Sequence, residues 1–575
     1  MRSCVSRAIG IAAIFTPFIG TASEAVHLAF ESAVTKVFID AKAPDGQPSW
    51  RVSMARGERE SFQLLISPQS ALRDLRVRNR FRGSVPLEAE LSLVGHVHTS
   101  ADDPRPWKAT EGVARVGWWP DPLLANRPFD IAAGETQSVW VTVFAPMSAH
   151  PGEYAGTLEV ELGGGVRRNA HYRVRVRNVE LPTRQFYRNA AFMPSGNLAA
   201  HYQPTGGLDS PEFLALYKNW ARRAFLQHLG PTFDMMMGWN QSELRSPLTA
   251  GPLGPTEQMH LGRAGTHLVW PVLGQRGKYD FRVVDELGAL GHEYGMRQYA
   301  IAIFAKDETW ERHSARMKDD MADYLKAYAS HLREQSRLDE AYVYNVDEPP
   351  EEQWDTVRNN YGFVKSVVPE LKTWLCLNQP KAVRDLQSYT DILDVYIRQY
   401  DKAEVPKYRR ADKQLIWAVC VWPHEHPNLF IEYPAADARM IGWLTYRYDI
   451  SGFEYWGLNQ WGANTGRRDW ANFTRGDTRT SWQRTTFPWG DGWLLYPGEH
   501  GEPLSSIRFE NLRDGFEDAE LLQLLVARGR KPDADRLAAS LAPSITSYVT
   551  DPARIAAAHA ELLSLLERSV AGKSK

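Results

Sequence analysis

The chain has 575 residues, a formal net charge of −2, 43% hydrophobic residues and 24% charged residues. This is a globular composition, long enough for two to four domains, and the absence of a basic block leaves nothing that points to nucleic acid. The outlying number is 20 Trp, beside 23 Tyr and 22 Phe; a buried indole N–H needs a partner, so most of these rings belong to cores, while the rest suit a cleft where flat sugar faces stack.

The first 25 residues have the pattern of a secretory signal peptide. Arg2 and Arg7 precede a mostly apolar stretch from Ala8 to Ile19, and Ser23-Glu24-Ala25 offers small residues for cleavage. The stretch is too short to span a bilayer, and no later segment is long and apolar enough. Export to the periplasm or outside the cell is therefore expected, with no membrane insertion. Cys376 and Cys420 remain in the mature chain, both within predicted strands, so the fold relies on packed cores rather than on a disulfide framework. His424-Glu425-His426 lies in a Pro-flanked loop, and its two histidines are too close for the usual helical chelate. Neither a metal nor a cofactor is expected.

Residues 26–182 read as an all-β sandwich. Val34–Ile39, Ser61–Ile66, Gln137–Val143 and His171–Val176 alternate or are β-branched, and Pro44-Asp45-Gly46 and Pro151-Gly152-Glu153 supply turns. From residue 186 the pattern becomes α/β. Strands are expected over 189–194, 229–237, 297–304, 341–347, 372–378, 392–398, 414–421 and 452–458, with helices over 211–228, 280–294, 313–335, 351–368 and 435–448. Eight strands, each followed by a helix or long loop, predict a (β/α)₈ TIM-type barrel over 186–503. His267–Val272 also reads as a strand and is assigned to a long second loop. Residues 504–575 form a helical tail packed on the barrel, with amphipathic stretches at Phe516–Leu525 and Arg554–Leu566.

The strongest chemical signal is Ala341-Tyr342-Val343-Tyr344-Asn345-Val346-Asp347-Glu348-Pro349, an apolar strand that ends in two carboxylates and a proline. Adjacent like charges are costly and raise each other's pKa, which suits a pair with one acid and one ionised partner. Pro349 is expected to hold Glu348 in the β/polyproline region. The pair falls at the C-terminal end of strand four, the face where barrel enzymes carry their catalytic groups. Other strand ends bring Asn378-Gln379, Tyr396, Arg398, Trp422, Tyr455, Trp456, Asn459 and Trp461 to the same rim; of these, Asn378, Tyr396, Trp422, Tyr455, Trp456, Asn459 and Trp461, with Asn345, are the candidate substrate-binding residues. No Gly-rich phosphate loop and no Ser/His/Asp order is visible.

The order of five blocks resembles glycoside hydrolase family 123. They are Asn345–Pro349, Pro427–Pro434, Gly452–Trp461, Gly492–Gly498 and Ile507–Asp518. The resemblance implies a retaining β-N-acetylgalactosaminidase that cleaves terminal β-linked N-acetylgalactosamine with the help of the substrate's own 2-acetamido group, acting on a glycan or glycoconjugate. It places the chemistry on Asp347 and Glu348. The chain departs from the family pattern at Glu454, where an apolar residue is common. The residues agree with the role split. A two-carboxylate retaining enzyme holds its carboxyls about 5–5.5 Å apart across the scissile bond, and neighbours on one strand end do not flank a ring from both faces. Glu348 is then the general acid/base and Asp347 orients the acetamide. Two alternatives stand: a conventional glycosidase pairing Glu348 with Glu454 or Asp394, and a non-catalytic glycan-binding barrel. The block Arg513-Asp514-Gly515-Phe516-Glu517-Asp518 reads as a helix N-terminus, docked by Arg508 and Arg513. The oligomeric state is not readable.

Overall fold

The structure is a computed structural model. It describes residues 26–571 except 43–44, 84, 100–115, 163–164, 206–209, 233–269, 272–277, 297–298, 302–314, 401–412, 421–425, 462–467, 470–478 and 483–487. The leader segment, Trp422 and His424-Glu425 therefore lie outside the described residues.

Ten strands come first: β1 (Val26–Ser32), β2 (Trp50–Arg56), β3 (Arg59–Pro68), β4 (Leu72–Phe81), β5 (Glu88–Thr99), β6 (Gly117–Ala125), β7 (Phe129–Ile131), β8 (Gln137–Phe144), β9 (Gly152–Leu162) and β10 (Val166–Glu180). They form two sheets. One has the order β2-β10-β9-β4-β7; in the other β1-β3-β8-β5 are consecutive and β6 pairs with β5. Leu64, Ile66, Val139 and Val141 from the second sheet meet Val77, Val160, Val174 and Val176 from the first in one core. The sheets differ in their outer faces. Along β3 and β8 almost every residue is buried, because this sheet is covered on both sides. Along β4 and β10 buried and exposed residues alternate, the mark of a sheet with one face in solvent.

The second region begins with β11 (Ala190–Phe192) and β12 (Gly230–Thr232). A short antiparallel pair, β13 (Trp270–Pro271) and β14 (Tyr279–Asp280), stands apart from the main sheet. Then come β15 (Tyr299–Ile301), β16 (Ala341–Asp347), β17 (Lys372–Leu377), β18 (Ile392–Tyr396), β19 (Gln414–Ala418) and β20 (Gly452–Tyr455). All eight expected strands are present, in one sheet of order β12-β11-β20-β19-β18-β17-β16-β15, and every ladder is parallel. Among the described residues seven ladders are formed, and β12 and β15 approach without pairing. The 267–272 segment sits in β13, outside this sheet, as expected.

Alternation along these strands sorts their side chains into two layers. Ala190, Tyr342, Trp374, Ile392 and Ile416 pack together on the concave side. Their neighbours Ala191, Val343, Leu375, Leu393, Leu415 and Phe453 join the large core shared with the helices. The period of two that makes each strand amphipathic toward helix or interior also fixes which residues further along reach the open end.

Two late segments, β21 (Arg468–Asp469) and β22 (Arg479–Trp482), leave the second region and extend the sheet β1-β3-β8-β5 of the sandwich through β5, with Arg479 opposite His96. The expected boundary between the regions is thus crossed by later chain.

The helical tail is not peripheral. The helix Ile507–Ala527 is buried along most of its length, charged residues included. Ser506 caps it, accepting from the Phe509 N–H at 3.2 Å. Asp514, Glu517 and Asp518 therefore sit in mid-helix, and the expected N-terminus at 513–518 is corrected. The helix crosses Ala435–Arg447 backbone to backbone: a Cβ at Gly442 would stand 1.9 Å from the Gly515 carbonyl oxygen, so both positions need glycine. Buried ion pairs tie it to the sandwich. Arg508 donates to both oxygens of Asp121 at 2.8 Å, and Arg439 bridges Glu60 and Asp518 at 2.7 Å each. The last helix, Pro552–Ala571, adds His559, whose ring nitrogens face Asp518 at 2.7 Å and the Ser53 carbonyl at 2.9 Å. Glu58, Glu60, Asp518 and His559 bring their ligand atoms within 4.8 Å of one another, and Arg439 supplies a cation at this cluster.

Candidate active site

Three features of β16 place the acidic pair. The strand is buried by Tyr342, Val343 and Val346. Its register against β17 shifts between Tyr344 and Asp347, so that three steps on β16 match two on β17, from Trp374 to Cys376. This bulge puts Tyr344 and Asp347 on one side of the sheet, where a regular strand would oppose them. The Tyr344 hydroxyl then donates to Asp347 Oδ1 at 2.6 Å. Tyr344 is wedged between Phe192 and Trp374, with ring centroids 6.1 and 6.2 Å away. Burial pushes its phenol pKa well up, and the Asp347 charge adds to that, so it stays a donor.

Glu348 corrects the sequence expectation. Its φ is +45°, in the left-handed region and not the β/polyproline one that the following proline favours. Such a residue carries about 1–3 kcal/mol of strain and persists only where its surroundings fix it. Here the Glu348 N–H donates to the Cys376 carbonyl at 3.2 Å, and the Trp354 indole N–H holds the Pro349 carbonyl at 3.2 Å. The ladder thus continues one residue beyond the strand while the chain turns. Asp347 and Glu348 are both half-buried at its end. The backbone of Asn345 lies in β16.

Two more carboxyls belong to the same concave surface. Asp394 shares a register level with Cys376, which in turn faces Asp347, and Glu454 lies opposite Ala418 on β19 and Ala190 on β11. Asp394 is fully buried and Glu454 is 5% exposed. Burial pushes the Asp394 pKa well above the usual carboxylate range; the Trp374 indole N–H, donating at 3.1 Å, opposes this, and the Asp347 and Glu348 charges reinforce it. Glu454 is raised by burial first and then by Asp394, Asp347 and Glu348. Both acids are shifted toward their neutral forms while Asp347 and Glu348 are half-buried, a separation of environments that lets neighbouring carboxyls take different roles.

The expected rim residues divide. Tyr396 and Trp456 are half-buried near the opening, as is Asn378 at the end of β17. The Tyr396 hydroxyl accepts from the Cys420 thiol at 3.0 Å, and Glu348 is among the charges that raise its pKa after burial. Trp456 donates to Asp491 at 2.7 Å. Arg398 is exposed, with its guanidinium 5.8 Å from the Tyr396 ring. Tyr455, Asn459 and Trp461 do not line an opening. They are buried, and their polar groups serve the protein: Tyr455 OH accepts from the Gly492 N–H at 2.9 Å, Asn459 donates to the Pro194 carbonyl at 3.1 Å, and Trp461 donates to the Leu495 carbonyl at 3.0 Å. Strand ends were a fair guide to position but not to which side the chain turns after β20.

Sequence reading missed Tyr344 and Trp374. Both were visible as aromatic residues, but the bulge that turns Tyr344 toward Asp347 has no signature in the pattern of residues. Of the weak metal motif, His426 is buried with Nδ1 3.0 Å from the Pro427 carbonyl.

The model of the glycoside hydrolase 123 catalytic domain matches residues 266–525, which include β16 and all four carboxyls. The chain carries a glycoside hydrolase family 123 catalytic domain over these residues. Its fold is similar to that of a family 123 glycoside hydrolase from Clostridium perfringens, studied for glycolipid glycan hydrolysis, with 12% identity and a TM-score of 0.68 over 96% of this chain and 100% of that one. A GH5 xyloglucanase from Bacteroides ovatus aligns at 8% identity over 82% of this chain and 98% of that one, with a TM-score of 0.27 that carries no argument. No curated protein matches the sequence. The family makes the chain a glycosidase acting on glycans. Among the described residues no helix is long and apolar enough to cross a membrane.

Proposed function

We infer that this glycosidase removes terminal β-linked N-acetylgalactosamine with retention, using the substrate's 2-acetamido oxygen as nucleophile. The observation that carries the reading is the contrast among the four carboxyls. The two half-buried ones are sequence neighbours, and the two that could oppose them are buried, with their pKa values pushed up chiefly by that burial. A neutral carboxyl is a poor nucleophile, so an attacking group from the substrate fits this surface better than a protein carboxylate. Glu348 protonates the leaving oxygen and afterwards activates water. Asp347, oriented by Tyr344, accepts the acetamide N–H, holds the acetamide oxygen in line with C1 and stabilises the oxazolinium charge. Tyr396 and Trp456 border the sugar. The relative studied for glycolipid glycans suggests a glycoconjugate headgroup as one substrate. In this reading the eight strands close into a barrel through β12 and β15, with 186–503 as the catalytic unit beside a sandwich over 26–182 and a helical segment over 504–575, and the leader directs export.

The test is a panel of aryl β-glycosides of N-acetylgalactosamine, N-acetylglucosamine, galactose and glucose. Only the 2-acetamido sugars should be cleaved, N-acetylgalactosamine fastest. A thiazoline analogue of the cyclised intermediate should inhibit competitively and tightly. Cleavage of plain galactoside at a comparable rate, or a sugar trapped on Asp394 or Glu454 by a 2-fluoro glycoside, overturns the reading and favours the conventional pair.

A further inference from the structure

The open face of the sheet β2-β10-β9-β4 carries an unusual charge pattern. These four strands contain no lysine, yet arginine recurs at alternate positions: Arg76, Arg78 and Arg80 on β4, and Arg173, Arg175 and Arg177 on β10. Side chains two apart on a strand point the same way at about 6.8 Å spacing. The whole chain has a net charge of −2, so this is a local concentration.

One row across the strands stands out. Arg173 is opposite Ala155 on β9 and Arg51 on β2. Just past β4 the Arg82 N–H donates to the Ala155 carbonyl at 2.9 Å, which brings Arg82 to the same level. Three arginines thus share a row whose remaining member is an alanine. All three are exposed, and among the described residues none of them has an ion-pair partner. The two bordering acids are already engaged: Glu153 with Arg175 at 3.1 Å and Glu159 with Arg80 at 2.8 Å. The row floors an open groove of about 710 Å³ that Arg51, Arg80, Arg82 and Arg173 line with Asn169 and His171. Like charges placed side by side on a sheet destabilise it, so a ligand that brings anions to the row offsets that cost.

We propose that this groove binds a sulfated polysaccharide and holds the enzyme on it, independently of the reaction at Asp347 and Glu348. The planar guanidinium fork matches a sulfate ester bidentately, where a lysine would offer only a point charge. A linear chain with a sulfate on successive units presents anions along the groove. Asn169 and His171 supply polar contacts for hydroxyls. A membrane is a poorer occupant, because none of the exposed large apolar residues, Val116, Met147, Phe186 and Tyr389, is on these strands. Duplex nucleic acid is the competing polyanion, and the DNA arm of the test separates the two.

The test is binding of the full chain to chondroitin sulfate, with unsulfated chondroitin, hyaluronan, duplex DNA and anionic vesicles in parallel at the same salt. The comparison variant is R51A/R82A/R173A, whose folding is checked by its melting curve and by unchanged hydrolysis of a small aryl substrate. Chondroitin sulfate should bind with a salt-sensitive affinity, and the triple variant should bind about tenfold or more weakly, since it loses three charge-assisted contacts. The proposal fails if the wild type does not bind chondroitin sulfate, if the triple variant binds it equally, or if unsulfated chondroitin, hyaluronan, DNA or vesicles bind as tightly. Because the readout is binding, an inactive catalytic site leaves it intact.

Discussion

Tyr344→Phe isolates one contact at the site. The substitution removes only the hydroxyl that donates to Asp347 at 2.6 Å and leaves the ring between Phe192 and Trp374. A hydrogen bond to a charged group contributes about 1.5–3 kcal/mol. If that bond orients Asp347 for the acetamide in the transition state, its loss lowers kcat by about ten- to 150-fold, at 1.36 kcal/mol per decade. The ground-state sugar gains little from an acetamide held in line, so KM should change much less. The assay is steady-state hydrolysis of an aryl N-acetylgalactosaminide, paired with the inhibition constant of the thiazoline, which should weaken in step with kcat because it mimics the cyclised state. A Tyr344→Phe enzyme that melts like the wild type and keeps its kcat would refute the reasoning. It would make Tyr344 a packing residue and leave the orientation of Asp347 to other contacts.

Glu348→Gln keeps the shape but cannot cycle a proton, and should lose about 10²–10⁴-fold in kcat on glycans, less on aryl substrates with good leaving groups; wild-type rates on a glycan would remove Glu348 from the acid role. Asp394→Asn replaces a carboxyl held neutral by burial with a neutral amide, so activity should stay near wild type, whereas complete loss would make Asp394 an ionised participant. Arg508→Met takes the guanidinium from buried Asp121 while the Tyr496 hydroxyl stays at 2.5 Å and should destabilise the protein by about 3–5 kcal/mol in urea unfolding; adding Asp121→Leu should recover much of it. At His559 burial works to lower the pKa, but Glu58, Glu60 and Asp518 raise it to about 10, against 6.5 in the unfolded chain. Its stabilisation is complete below 6.5 and is lost as pH rises through about 10, so the difference in stability between wild type and His559→Gln should shrink over that window. An unchanged difference across it would place the charge elsewhere.

The arrangement of eight strands was legible because β/α alternation and strand burial are written in local composition. The end of β16 was legible for the same reason: an apolar strand that stops at Asp347-Glu348 has few structural uses. The backbone at Glu348 was not. A proline after it argues for extended geometry, and long-range contacts, among them the bond from its N–H to the Cys376 carbonyl, override that preference. Trp461 and Tyr455 misled because an aromatic residue after a strand looks the same whether the chain then opens outward or folds back over Gly492. The helix Ile507–Ala527 misled in another way. Its run of acids resembles the polar face of a surface helix, and the acids are instead buried, Asp518 and Glu510 against Arg439 and Arg223 from elsewhere in the sequence and Glu520 against the backbone N–H groups of Phe186 and Tyr187.

That helix also couples the sandwich to the catalytic region. Arg508 holds Asp121 of β6 with one edge of its guanidinium and the carbonyls of Leu429 and Gly490 with the other, at 2.6 and 2.8 Å. Gly490 opens the turn whose Asp491 takes the Trp456 indole N–H at 2.7 Å and whose Gly492 N–H reaches the Tyr455 hydroxyl. Gly492 has a φ of +83°, and a Cβ there would stand 2.3 Å from the Trp456 ring. The half-buried aromatic at the rim is therefore fixed by a turn that is itself gripped by a sandwich-bound arginine. Removing the sandwich removes Asp121, leaves the Arg508 charge buried without its partner, and loosens the turn beneath Trp456. Physical separation of the two regions should cost the catalytic half its stability first and the fixed position of Trp456 with it.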